Sequence, residues 1–88
     1  MSHSIAIVDD ELDTLQIFEE ILTSIGYNVA GFTCPLLAFE YIKENHEEFD
    51  LIIVDYKMTP INGYGFARKL AKMDARIKLN HFVTLRNR

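Results

Sequence analysis

The sequence has no tryptophan, one cysteine and two prolines. The single thiol, Cys34, cannot close an intrachain disulfide, so a reducing cytoplasm is the simplest setting. No apolar stretch exceeds four or five residues, against the roughly 20 that span a bilayer. The N-terminus, Met1-Ser2-His3-Ser4, lacks a basic region followed by a long apolar core and does not read as a secretion signal. Excess positive charge is also missing. Nine basic residues against thirteen acidic ones give a net charge of −4, which argues against direct nucleic-acid binding. Arg86 and Arg88 form a small basic tip that solvation alone explains.

What remains is an ordinary globular composition, 49% apolar and 25% charged in 88 residues, enough for one domain spanning residues 1–88. Short apolar runs alternate with helical periodicity, the signature of an α/β fold. Ser4 to Val8 reads as a buried strand ahead of two aspartates. Leu12, Leu15, Phe18, Leu22 and Ile25 recur at three- and four-residue steps on one helix face. Gly26 follows as the stop, since glycine enters a left-handed cap without strain. Asn28 to Thr33 is a second strand. Thr33 can cap a helix with Pro35 in its first turn, running to about Asn45 with Leu36, Phe39 and Ile42 on one face. Leu51 to Val54 is a β-branched run ending at Asp55, expected to be buried on both faces. Thr59 to Gly63 reads as a turn, and Phe66, Ala67, Leu70 and Met73 as a third helical face. Ile77 to about Thr84 reads as a fourth strand, interrupted by Asn80 and His81.

Right-handed crossovers in a β-α-β-α-β-α-β chain force a parallel sheet with helices on both faces. Its chemistry belongs at the carboxyl ends of the strands, where Asp9, Asp10, Asp55 and Thr84 fall. Two unit charges ~4 Å apart repel by about 4 kcal/mol at an effective dielectric of 20, so three gathered carboxylates call for a compensating ion or proton. A hard divalent cation suits them, and magnesium is commonly held by one or two carboxylates plus phosphate oxygens. Taken alone, Asp9-Asp10-Glu11 also reads as a solvated loop with Asp10 capping the first helix, Glu11 and Asp13 favouring its positive end. Asp55 tips the balance towards a site, because an unpaired charge ending the most apolar strand is costly.

The runs Ile5-Ala6-Ile7-Val8-Asp9-Asp10-Glu11 and Asp50-Leu51-Ile52-Ile53-Val54-Asp55-Tyr56-Lys57-Met58, with Asn62-Gly63 in register beyond, resemble the first and third strands of response regulator receiver domains. The resemblance covers Ser4 to about Met73, and extends plausibly to Thr84. It implies a flavodoxin-like (CheY-like) doubly wound parallel sheet of strand order 2-1-3-4. It also implies Asp55 as phosphoacceptor in phosphorelay signal transduction. Mg2+ would be held by Asp10 directly, Asp9 largely through water, Asp55, and the backbone carbonyl of Lys57. Thr84 would be the switch hydroxyl. The implied partner is a sensor histidine kinase or phosphotransfer protein. The implied chain is a signalling domain and not a turnover enzyme, promoting at most its own dephosphorylation.

The sequence departs from the family at two places. Thr59 follows the loop methionine where proline is usual, with Pro60 one position later. The sequence ends at Arg88 without the fifth strand, its lysine, or the last helices, so the resemblance is to a truncated receiver. From this follow three expectations: strand four as a sheet edge, one sheet face short of cover, and a homo-oligomer or swapped dimer formed through the region after about Met73. Without the lysine, metal binding should survive better than switching, with weak magnesium binding and slow or absent phosphorylation by acyl phosphate. The alternative is a non-phosphorylatable, degenerate receiver serving as an interaction or dimerisation module. A small phosphohydrolase with Asp55 as nucleophile is a third reading, disfavoured because Lys57 stands where that class places a second carboxylate. His3, His46 and His81 have no ligand spacing. Cys34 at a helix start reads as inert, Tyr56 as gating Asp55 or packing on its loop, and Met58 and Met73 as core fillers.

Overall fold

Two five-residue strands rich in isoleucine and valine form the centre of the sheet. They are β1 (Ser4–Val8) and β3 (Leu51–Asp55), paired in parallel with Val8 opposite Val54. A computed structural model describes residues 3–55, 62–73 and 82–85. Outside the central pair lie β2 (Asn28–Phe32) and β4 (Phe82–Leu85), also parallel, giving the order β2-β1-β3-β4. This is the expected CheY-like arrangement. The Ile77–Asn80 part of the expected fourth strand lies outside the described residues, as does His81.

The helices are α1 (Leu12–Ile25), α2 (Pro35–Asn45) and α3 (Gly63–Met73), with a short 3-10 turn at His46–Glu48. From β1 the chain steps outward to β2. It then crosses back past β1 to β3 and continues the same way to β4. Right-handed crossovers therefore put α1 on one face and α2 with α3 on the other.

The α2/α3 face buries Ala6, Val8, Ile52 and Val54 against Ala38, Ile42, Phe66 and Leu70. The Phe66 ring meets Phe39 edge-on, with centroids 5.8 Å apart, a favoured aromatic geometry. The α1 face buries Ile5, Ile7 and Leu15, with Phe18, Leu22, Leu51 and Ile53 only partly covered. β3 is thus sealed on one side and half-sealed on the other, where burial on both faces was expected.

Gly26 ends α1 as anticipated. It adopts φ 117° and ψ 9°, its N–H donates to the Thr23 carbonyl, and the Tyr27 N–H donates to that of Leu22. Several local readings are corrected. Neither Asp10 nor Thr33 is a helix cap: the N-cap positions are Glu11 and Cys34, neither with a side-chain capping bond. Pro35 supplies the first turn of α2 and fixes its start one residue later than Thr33 capping would. Leu36 is 62% exposed, because the inward face of α2 is set by Pro35, Ala38 and Ile42. Leu12, Ile25 and Met73, expected to pack, are 55%, 65% and 54% exposed. Each is the first or last residue of its helix. Gly63, read as part of a turn, is already helical.

Candidate functional site

The sheet reverses its direction of winding between β1 and β3, and the loops leaving these two strands diverge to opposite faces. That divergence opens a crevice at their carboxyl ends, the usual ligand position in open α/β sheets. Val8 and Val54 are register partners. The next residues, Asp9 and Asp55, therefore emerge side by side, on neighbouring strands spaced by about 4.8 Å. The Asp9 N–H donates to the Phe32 carbonyl at 3.0 Å, which carries the β1–β2 ladder one residue past β1 and fixes the Asp9 backbone.

Asp9 and Asp55 are each 2% exposed, whereas Asp10 is open to solvent. One carboxylate oxygen from each of Asp9, Asp10 and Asp55 can be drawn from a group lying within 4.8 Å of one another. The three acids chosen from sequence are therefore gathered at one point. Asp9 Oδ1 also accepts a hydrogen bond of 2.9 Å from the Glu11 N–H, which holds the turn between β1 and α1 and aims the following carboxylate.

The donor set fits a hard divalent cation. Oxygen ligands at about 2.1 Å for Mg2+ or 2.3–2.6 Å for Ca2+ place opposite ligands roughly 4–5 Å apart, the size of this cluster. Two buried acids and one exposed acid leave the solvent side for water or an incoming anion.

Gly63, expected as the end of a turn and as a register match to the family, has a physical task in the structure. A Cβ built there would stand 2.5 Å from the Asp55 carbonyl oxygen and 3.1 Å from Val54 Cγ1. Real Cβ atoms do not come this near, so only glycine lets α3 start directly against the backbone of Asp55. Asn62 sets that start. Its Oδ1 accepts the Gly65 N–H at 2.7 Å and its carbonyl accepts the Phe66 N–H at 2.9 Å, the pattern of a helix N-cap. The Asn-Gly pair therefore fixes the far wall of the crevice.

Thr84 lies on β4 with its backbone paired to Val54, the residue before Asp55, and Asp55 itself pairs with Leu85. The Thr84 side chain is outside the described residues. So are Lys57, whose carbonyl was the fourth expected metal ligand, and Tyr56 and Met58. Cys34 is exposed. His3 lies 3.5 Å from the Asp50 carboxylate at the opposite end of the sheet, and no metal-ligating group of the described residues includes a histidine. No helix among the described residues is long and apolar enough to cross a membrane.

Comparison with known proteins agrees with this geometry. A family model described as the response regulator receiver domain matches residues 5–86. The two-component response regulator ARR14 of Arabidopsis thaliana is 29% identical over 70 residues, covering 80% of this chain and 18% of the relative. The chain spans 14% to 37% of the length of the first curated relatives it matches. Among solved structures, the chemotaxis protein CheY4 of Vibrio cholerae superposes with a TM-score of 0.82 at 23% identity, over 96% of this chain and 68% of that one. A CheX–CheY–BeF3–Mg2+ complex from Borrelia burgdorferi gives 0.74 at 23% identity, over 83% of this chain and 55% of that one. At these identities the structural matches establish the fold.

Proposed function

Since the chain belongs to the response regulator receiver family, we propose that it is a magnesium-dependent phosphoacceptor in a phosphorelay, with Asp55 receiving the phosphoryl group. The observation that carries this reading is the meeting of Asp9, Asp10 and Asp55 at the crevice between β1 and β3. The donor is a phosphohistidine on a sensor kinase or phosphotransfer protein, or a small acyl phosphate, and the setting is the cytoplasm.

In this reading Asp10 would hold Mg2+ directly and Asp9 largely through water, with Asp55 and the Lys57 carbonyl as further oxygens. The ion supplies positive charge that offsets the acidic floor and the charge developing on the transferred group. An Asp55 carboxylate oxygen forms a bond to phosphorus while the bond from phosphorus to the donor nitrogen or oxygen breaks, the donor keeping the electron pair. Asp9, buried and hydrogen-bonded to the loop backbone, positions Asp10 and does not react. Gly63 holds the α3 wall against Asp55, so the acceptor does not shift as charge accumulates. Thr84 donates its hydroxyl to a phosphoryl oxygen and so couples β4 to the modified state. Water attack on phosphorus returns Asp55 to the free carboxylate, which is the chain's own dephosphorylation. A bound BeF3 and Mg2+ in the Borrelia complex support the view that this fold accepts such a pair.

The test is intact-mass spectrometry after incubation with Mg2+ and acetyl phosphate. A single phosphoryl increment that accumulates slowly is expected, absent in Asp55→Asn and without Mg2+. Calorimetric Mg2+ titration should show binding weakened at least tenfold in Asp10→Asn. Mg2+ binding with no phosphorylation by any donor would instead support the degenerate interaction module.

A further inference from the structure

Strand β2 carries none of the three carboxylates, yet it holds one of them in place. The Asp9 N–H donates to the Phe32 carbonyl at 3.0 Å, so the position at which Asp9 leaves β1 is set by where β2 ends. That end is lightly built. Among the described strands β2 is outermost and pairs with β1 alone. Its residues, Asn28-Val29-Ala30-Gly31-Phe32, place a glycine just before the last position, and Thr33 and Cys34 beyond it are exposed. Phe32 therefore supplies the large side chain that ties this end of β2 to the interior. Its ring packs against the cluster that α2 and α3 close over Val8 and Val54. It also meets the Tyr41 ring of α2, with centroids 5.6 Å apart. Tyr41 in turn packs on the Phe49 ring at 6.1 Å, and its hydroxyl donates to Glu48 at 2.8 Å. From the α1 side, the Glu19 carboxylate and Leu15 crowd the place where a Cβ at Gly31 would stand.

We propose that Phe32 is a positioning residue of the cation site, acting through Asp9. Its ring, packed on the core and on Tyr41, fixes the carbonyl that in turn fixes the Asp9 backbone. This inference rests on the reading of Asp9, Asp10 and Asp55 as a Mg2+ site. Acids gathered within 4.8 Å repel one another in the metal-free protein, and the backbone that carries Asp9 must resist that push. The Glu11 N–H on Asp9 Oδ1 restrains it from within its own loop. The Phe32 carbonyl restrains it from another strand, which a movement of the loop does not carry along. Without the Phe32 ring, the end of β2 keeps only Gly31, Thr33 and Cys34 around that carbonyl, and it opens locally from β1 more often. Asp9 then has freedom that cation binding must remove, and affinity falls by that cost.

The test compares Phe32→Ala with Ile42→Ala, a fully buried core deletion towards the other end of α2. In metal-free protein, hydrogen exchange followed by NMR should show the Asp9 N–H about tenfold less protected in Phe32→Ala, beyond any loss shared by the slowest amides. Calorimetric titration should show Mg2+ affinity lowered about tenfold, the usual loss when a group that orients a metal ligand is removed. Ile42→Ala should lower stability at least as much and change neither reading. Phe32→Leu, which keeps an apolar side chain against the core, should recover most of both. If Phe32→Ala does not fold, Tyr41→Ala decides, with smaller shifts in the same direction expected, while Tyr41→Phe keeps the ring and should match the parent. Unchanged Asp9 protection in the Phe32 variant, or in Tyr41→Ala where that variant stands in, overturns the proposal. So does an equal loss of protection in Ile42→Ala, since stability alone would then explain it. The two possible failures separate. A parent that binds no Mg2+ sinks the cation-site reading and this proposal together, whereas a parent that binds it with affinity unchanged in Phe32→Ala sinks the proposal alone.

Discussion

On the α2/α3 face of the sheet, the apolar residues of the central strand pair are sealed: Ala6, Val8, Ile52 and Val54 meet Ala38, Ile42, Phe66 and Leu70 with almost no exposure. On the α1 face the corresponding residues are Ile5 and Ile7 of β1, buried, and Leu51 and Ile53 of β3, only partly so. The two sets alternate along the same two strands, so neither composition nor strand propensity separates them. The route of the chain does. Two of three crossovers travel towards β4 and lay their helices on one face, and the single crossover towards β2 leaves α1 alone on the other. The crevice holding Asp9, Asp10 and Asp55 lies where that direction changes, so it is anchored by a rigid face and bordered by an open one.

The largest effect expected from this asymmetry is on the sealed side. Phe66 is fully buried, edge-on to Phe39. Phe66→Ala should lose about 3–5 kcal/mol, the usual cost of deleting a core aromatic. Domains of this size have little stability in reserve, so urea denaturation should find the variant largely unfolded. A loss below about 1 kcal/mol would mean the sealed face repacks freely, against the close packing expected of a protein core.

Next in size is Gly63→Ala, which probes how the sealed face meets the crevice. The added methyl must displace either α3 or the Asp55 carbonyl, since 2.5 Å is available. Overpacking of this kind costs about 1–3 kcal/mol. Because the atom displaced belongs to Asp55, Mg2+ affinity should fall severalfold even where the variant remains folded. Normal metal binding in a destabilised variant would show that α3 moves alone and the crevice is not braced by it.

How much of this was legible beforehand follows from the same asymmetry. The parallel α/β sheet, Gly26 and the meeting of three distant aspartates were readable, because periodicity and right-handed crossovers leave few alternatives, whereas the strand order came with the family resemblance. The residues actually facing the core were read less well. Leu36 and Met73 are apolar at helical spacing yet exposed, while on α2 the small Ala38 is buried instead of Leu36. A hydrophobic pattern gives the period of a face but not which way the helix is rolled on the sheet. Gly63 was visible as a motif position, but its reason, a backbone-to-backbone approach, exists only in three dimensions. One sheet face short of cover was expected, yet Leu51-Ile52-Ile53-Val54, apolar throughout, reads as buried on both faces whichever neighbours cover it.

A smaller effect is expected on the half-sealed side. Ile53 lies on the α1 face and already has partial access to water. Full burial of such a side chain contributes about 1.5–3 kcal/mol, so Ile53→Ala should cost about 1–2 kcal/mol in the monomer, clearly less than Ile52→Ala next to it on the sealed face. Paired denaturation curves decide this. Equal losses would erase the distinction between the two faces.

The smallest effect lies at the outer margin of the sealed face, where Tyr41 of α2 packs against Phe32 and Phe49 at centroid distances of 5.6 and 6.1 Å. Its hydroxyl donates to Glu48 Oε1 at 2.8 Å. That bond, then burial and repulsion from the Glu48 carboxylate, raises the phenol above its ordinary value of 10.0. A phenol raised in the folded state favours folding while it is neutral. The contribution is therefore fully present below the ordinary value and disappears as pH climbs through the folded one. Difference absorbance between the parent and Tyr41→Phe should show Tyr41 ionising at higher pH than a free tyrosine, and Glu48→Gln should bring it back down, because a neutral amide removes both the charge-assisted bond and the repulsion. The exposed hydroxyl keeps the gain in stability small. An unchanged titration in Glu48→Gln would mean that this margin is held by ring packing alone, and that the sealed face needs no polar tie at its rim.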